Sequence, residues 1–270
     1  MKSKFYILIL LTFGLTATFT NCKKDDGTNI IQLNLFSIED DKAMGLQVSN
    51  EIASDPAQFP LLDETQYATA YAHLRRITNE ILNKATLKHR NDFLWQTKII
   101  NNDSVLNAFC TPGGYIYVYT GLIKYLESED QLAGVIGHEI AHADERHTTE
   151  AMTSALGRDL LIKMILGDSS LAGQVTTGLL GLKYGRGSET ESDLRSVEYL
   201  DKTELDARGV GRFFEKLIAS GQAGGPEFLS THPNPDNRVE AINNKWKELG
   251  SKVGGTFPDR YLDFKNSLPK

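Results

Sequence analysis

LAGVIGHEIAHADERH, residues 132–147, is the stretch whose reading decides the fold. It contains an HExxH pattern formed by His138, Glu139 and His142. At about 100° per residue, two histidines four apart project from one face of a helix and can grip a single metal ion. Leu132, Ile136, Ile140 and Ala143 fall on the other side, so one face is expected in the core while the histidine face borders a cleft. Glu139 projects between the two faces, where a carboxylate can take a proton from water at the metal. The helix is expected to begin at Ser128, with Ser128 and Gln131 as a capping box, and to run to about Arg146. A catalytic zinc site takes three protein ligands and leaves a position for water, so a further ligand is required. Glu189, Glu191 and Asp193 crowd the start of a later helix. Glu189 and Asp193 share a helix face, and spacing alone does not choose between Glu189 and Glu191.

Upstream, NAFCTPGGYIYVYTGLI (107–123) alternates Tyr115, Tyr117 and Tyr119 with Ile116 and Val118, the period of a strand with two different faces. That strand is expected to pair with the backbone of an extended substrate. FLWQTKII (93–100) reads as a second strand. Helical spacing of Leu74, Ile77, Ile81 and Leu82 predicts a helix over 63–90 that carries His73 and His89 on a half-exposed face. Residues 156–187 are glycine-rich and interrupted by Lys163, Asp168 and Gln174, which reads as a packed helix pair or a flap, not a transmembrane hairpin. Further helices are predicted near 187–202, 206–219 and 236–248.

Composition removes other classes. With 29 Lys+Arg against 35 Asp+Glu among 270 residues, the chain lacks the clustered positive charge that nucleic-acid binding needs. Two cysteines, Cys22 and Cys110, exclude a disulfide scaffold. The first residues, MKSKFYILILLTFGLTATFTNC, put two lysines before an apolar run too short for a membrane span, which reads as an export signal. Cys22 follows that run and precedes Lys23, Lys24, Asp25 and Asp26, an order that resembles bacterial lipoprotein signals in which the cysteine is lipidated. A plain signal peptide or an uncleaved anchor are the alternatives. The expected organisation is a lipoprotein-type signal peptide at 1–21, a polar tether and irregular segment at 22–60, one domain built around the HExxH helix at 61–250 and a tail at 251–270.

Five segments, 107–123, 132–147, GRGSETESD (185–193), RFFEKL (212–217) and FLSTHPNPDNRVEAI (228–242), occur in the order seen in the zinc metallopeptidases of the CAAX-prenyl-protease/HtpX superfamily. The chain resembles the soluble periplasmic or lipoprotein-anchored members of that family. The resemblance implies an α+β fold: a mostly helical zincin-type domain with a small β-sheet beside the HExxH helix. It implies one zinc ion on His138, His142 and Glu189, with Glu139 as the catalytic base. Asp193 and His147 are then supports behind the ligands, and His232 approaches the zinc as a reversible plug or an oxyanion partner. The implied function is a zinc-dependent endopeptidase that cleaves unfolded or misfolded cell-envelope proteins from a lipid anchor at the membrane, on the periplasmic side or the outer surface. An envelope chaperone or adaptor that holds zinc but cleaves little is the alternative. Gly185, Ser192 and Cys110 depart from the family pattern without removing a ligand or the base.

Overall fold

The computed structural model describes residues 34–155, 163, 172–220, 227–232 and 237–270. The expected export signal, Cys22 and residues 156–162 and 164–171 of the glycine-rich segment lie outside the described residues. Ser37 opens the first element with a capping box: its hydroxyl accepts from Asp40 N at 3.1 Å, while Asp40 Oδ2 accepts from Ser37 N at 2.7 Å. Helix α1 (Ile38–Ser54) follows, burying Met44, Val48 and Ile52 at i, i+4 and i+8. These residues were expected to be irregular, because the polar composition of 22–60 masks this one apolar stripe. Helix α2 (Ala68–Lys84) is shorter than the predicted span and carries His73, whereas His89 lies in the loop beyond it.

Strands β1 (Gln96–Ile100), β2 (Ala108–Thr111) and β3 (Tyr115–Tyr119) form one sheet in the order β1-β3-β2. β3 runs parallel to β1 and antiparallel to β2, with Cys110 opposite Ile116. The two-faced reading of β3 holds in an unexpected form, since both faces are buried. Ile116 and Val118 enter the main core, and the three tyrosines enter a second cluster with Met44, Val48 and Ile52 of α1. Because β3 is central, its backbone is already paired on both sides and cannot accept a substrate strand. Pairing of that kind belongs to an outer strand such as β2.

Helix α3 (Thr120–Tyr125) leads to α4 (Glu129–Asp144), the predicted metal helix. Ser128 is its N-cap residue but makes no capping bond; Gln131 Oε1 instead accepts from Glu127 N at 2.8 Å. Arg146, expected to end the helix, adopts a left-handed φ of 62° beyond it. All 16 residues of α4 are buried, so the histidine face is covered instead of open. The remaining helices are α5 (His147–Ala155), α6 (Ala172–Leu180), α7 (Arg186–Asp201), α8 (Gly209–Ala219), α9 (Glu227–Thr231), α10 (Arg238–Glu248) and α11 (Pro258–Asn266). Helices α7 and α8 pack on α4. A Cβ at Gly134 would sit 2.1 Å from Val210 N and one at Gly209 1.8 Å from Asp130 O, so only glycine permits this backbone approach. Helix α11, expected within a tail, buries Tyr261 and Phe264, and the Tyr261 hydroxyl donates to Ile123 O at 2.7 Å. Among the described residues no helix is long and apolar enough to cross a membrane.

Candidate metal centre and active site

Helix α4 supplies His138, Glu139 and His142, α7 supplies Glu189, and His232 follows α9. One donor atom from each of His138, His142, Glu189 and His232 lies within 4.8 Å of the others, and all four side chains are buried. His142 Nε2 is 3.0 Å from His138 Nε2 and 3.3 Å from Glu189 Oε1. His232 turns Nδ1 toward the group, 3.3 Å from His138 Nε2 and 3.1 Å from Glu189 Oε1. Its other nitrogen, Nε2, is 3.4 Å from Glu139 Oε1.

Asp193 stands one turn after Glu189 on α7, and its Oδ1 lies 2.9 Å from His138 Nδ1. A hydrogen held there between the two groups leaves the lone pair of His138 on Nε2, aimed at the cluster centre. Arg238, the first residue of α10, donates to both Asp193 oxygens at 2.6 Å. His142 is held differently. The Tyr184 ring stacks on it with centroids 3.9 Å apart, and His147 Nδ1 lies 3.1 Å from His142 Nδ1. Glu191 Oε2 is 3.3 Å from His147 Nε2, which separates the two glutamates that spacing left open. Glu189 faces the cluster, and Glu191 faces a histidine behind it. Phe228 stacks on His232 at 4.3 Å.

Charge follows from this packing. Burial works to raise Glu189, but the charges and hydrogen bonds of His232, His142 and His138 outweigh it and hold the carboxyl far below its usual range. Burial raises Glu139, against the opposing pull of His232 and His138. Burial also lowers His142 well below the usual imidazole value. In His232 burial again works to lower the value, and the Glu139 and Glu189 charges overturn it. Burial pushes the Cys110 thiol well up, with the Glu139 charge adding to it.

Both Glu139 oxygens and His232 Nε2 are buried without a hydrogen bond among the described residues. Orphaned buried atoms of this kind cost about 1–3 kcal/mol each unless something engages them. Three imidazole nitrogens and one carboxylate oxygen, converging and buried, fit one Zn2+. Arg238, Tyr184 and Phe228 did not stand out in the sequence. Arg238 lies 45 residues from Asp193, and no local spacing links them.

A two-histidine helix, a carboxylate from a second helix and a small sheet alongside define a zincin-type metallopeptidase domain. Residues 68–245 match peptidase family M48, and the chain belongs to that family. It is 33% identical over 162 residues to the mitochondrial metalloendopeptidase OMA1 of Arabidopsis thaliana, covering 58% of this chain and 33% of that protein. It is 31% identical over 182 residues to the beta-barrel assembly-enhancing protease of Escherichia coli (strain K12), covering 61% of this chain and 37% of that protein. Over 239 residues it is 26% identical to the OMA1 protein of Schizosaccharomyces pombe, covering 86% of this chain and 69% of that protein. The chain thus spans about a third of the length of the first two relatives.

Proposed function

We propose that this chain is a zinc-dependent endopeptidase that hydrolyses peptide bonds in unfolded or misfolded proteins of the bacterial cell envelope. The observation that carries the reading is the buried four-donor cluster, with a glutamate beside it whose oxygens accept no hydrogen bond among the described residues. His138, His142 and Glu189 hold the zinc, Asp193 and His147 orient the histidines, and Glu139 is the base. Zinc supplies Lewis-acid polarisation of a carbonyl and makes water acidic enough to lose a proton near neutral pH. Glu139 removes that proton as the water oxygen bonds to the scissile carbon. It then delivers the proton to the amine nitrogen as the carbon–nitrogen bond breaks. Its raised affinity for protons, caused by burial, suits a group that must hold one between the two transfers.

His232 has two duties in this scheme. With Nδ1 toward the ligands it closes the cluster at rest, and it gives way when substrate enters. Displaced, it stands beside the oxyanion that develops on the scissile carbonyl. The names of the relatives, a metalloendopeptidase and a protease, support hydrolysis of protein substrates. The envelope location and the membrane tether are supported by the export-signal pattern and by the position of Cys22 directly after its apolar run, where lipoprotein signals carry the cysteine that is lipidated. Replacement of Cys22 by serine is expected to release the protein from the membrane fraction and abolish labelling by a tagged fatty acid.

Zinc content and casein cleavage, compared between wild type and Glu139→Gln, test the central claim. One zinc per chain and near-complete loss of cleavage in the variant are expected. Equal cleavage by both proteins sinks the mechanism, and bound zinc without cleavage by either favours a chaperone or adaptor.

A further inference from the structure

The two histidines of α4 are backed by different chemistry. His138 Nδ1 meets a carboxylate directly, Asp193 Oδ1 at 2.9 Å. His142 Nδ1 meets another imidazole, His147 Nδ1 at 3.1 Å. On an unbroken helix a residue five further on points about 140° away. Arg146, with its left-handed φ of 62°, ends that continuity, and α5 opens on His147 in a new direction. The rings of His142 and His147 consequently meet edge to face, with centroids 5.1 Å apart. The far nitrogen of His147, Nε2, lies 3.3 Å from Glu191 Oε2 on α7. His147 is buried, whereas the Glu191 side chain is 25% exposed and forms the outer end of the chain. Ser192 Oγ stands 3.2 Å from His147 Nδ1, but a hydroxyl turns its hydrogen to suit its neighbours and does not dictate where His147 carries its own.

The hydrogens along this chain can be counted. A ligand imidazole is neutral and carries one hydrogen. In His142 that hydrogen has two claimants: Glu189 Oε1, 3.3 Å from Nε2, and His147 Nδ1, 3.1 Å from Nδ1. The first places it on the nitrogen that must hold the ion, and the second leaves that nitrogen a free lone pair. His147 can accept at Nδ1 only while its own hydrogen sits on Nε2. A carboxylate beside Nε2, which only accepts, draws the hydrogen there.

We infer that Glu191 is a positioning residue: it holds the hydrogen of His147 on Nε2, which draws the hydrogen of His142 to Nδ1 and turns the Nε2 lone pair of His142 to the metal. The inference rests on the metal reading above and gives Glu191 a task distinct from that of Glu189. Glu189 offers an oxygen to the ion; Glu191 acts on a ligand from two groups away. His138 needs no such chain, because Asp193 takes its Nδ1 hydrogen without an intermediary.

Histidine-selective 15N NMR of the zinc-free protein reads which nitrogen of each ring carries the hydrogen, and a chelator competition reads zinc affinity. Wild type is expected to show His142 with its hydrogen on Nδ1 and His147 with its hydrogen on Nε2. In Glu191→Ala the hydrogen of His142 should move to Nε2, and zinc affinity should fall about ten-fold, the low end for a lost support behind a metal ligand. Glu191→Gln, whose amide oxygen still accepts from His147, should restore both readings. The zinc-free Tm should stay near wild type in both variants, because Glu191 is partly exposed. Wild-type zinc affinity in Glu191→Ala, or an equal loss in Glu191→Gln, overturns the inference. So does a change at His138 as large as that at His142, which would mark a general disturbance of the site. Cleavage is not among these readings, so casein hydrolysis that survives in Glu139→Gln would sink the peptidase mechanism and leave Glu191 in its place. Failure of wild type to take up zinc would overturn the metal reading itself.

Discussion

Glu129 and Glu139 stand ten residues apart on the same helix, and both are buried, at 1% and 0% exposure. Their surroundings are opposite. Glu129 accepts four guanidinium hydrogen bonds, two from Arg76 and two from Arg260, so both its oxygens are engaged. It also sits at the helix N-terminus, where the backbone dipole favours a negative charge. Glu139 accepts no hydrogen bond among the described residues and faces a cluster of imidazoles. Burial alone therefore does not mark a reacting group. A carboxylate whose lone pairs are all spoken for ties α2 and α11 to α4; one whose lone pairs are left open is poised to take a proton.

Substitutions should pull the two apart. Glu139→Gln is expected to lower kcat/KM on casein about 10²–10⁴-fold, the usual scale for a lost general base, with an unchanged or slightly raised Tm. A comparable loss of activity in Glu129→Gln would break the contrast. Asp193→Ala removes the group between His138 and Arg238, leaving a guanidinium buried without its bidentate partner. Zinc affinity should fall about 10–100-fold in a competition titration, and Tm should fall whether or not metal is present.

Glu129→Ala should cost about 1–3 kcal/mol of stability in urea unfolding, because Arg76 and Arg260 are partly exposed and recover water. Its kcat should stay near that of wild type. Tyr184→Phe keeps the stack on His142 and loses the 3.0 Å hydroxyl contact with Thr148. A loss of about 1 kcal/mol in stability is expected, with little change in zinc affinity.

The smallest effect lies near the structural end of α4. Burial works to raise Asp206, but hydrogen bonds from Arg208 and Arg212 outweigh it and hold the carboxyl at about 2. A carboxyl lowered by folding contributes stability in full above its unfolded value of about 4, and that contribution fades as pH falls toward the folded value. Wild type should thus exceed Asp206→Asn in urea midpoint at pH 6, and the difference should shrink between about pH 4 and 2. A difference that grows on acidification would refute the sign.

The site was legible where chemistry and helical period coincide. His138, Glu139 and His142 announce themselves because a four-residue spacing is the repeat of the helix that carries them. Glu189 could be placed only by family resemblance, since local spacing treats Glu191 as its equal. The supports stayed hidden for a different reason. Arg238 belongs to a helix more than forty residues from Asp193, and only the packing of α10 on α7 makes them partners. No local spacing marks Tyr184 or Phe228, and their stacking on His142 and His232 is a matter of ring placement. The sheet shows the same limit. Alternation identified β3 as two-faced, but nothing in that alternation says it is the middle strand.

Local order along the chain was enough to determine a metal helix and a two-faced strand, because each depends on residues within a turn or two of one another. Tertiary structure decided which glutamate faces the cluster, which strand has a free edge and which buried carboxylate accepts no hydrogen bond among the described residues. Those outcomes depend on contacts between segments tens of residues apart. No periodicity encodes them, and they exist only once α4, α7, α10 and the sheet have packed.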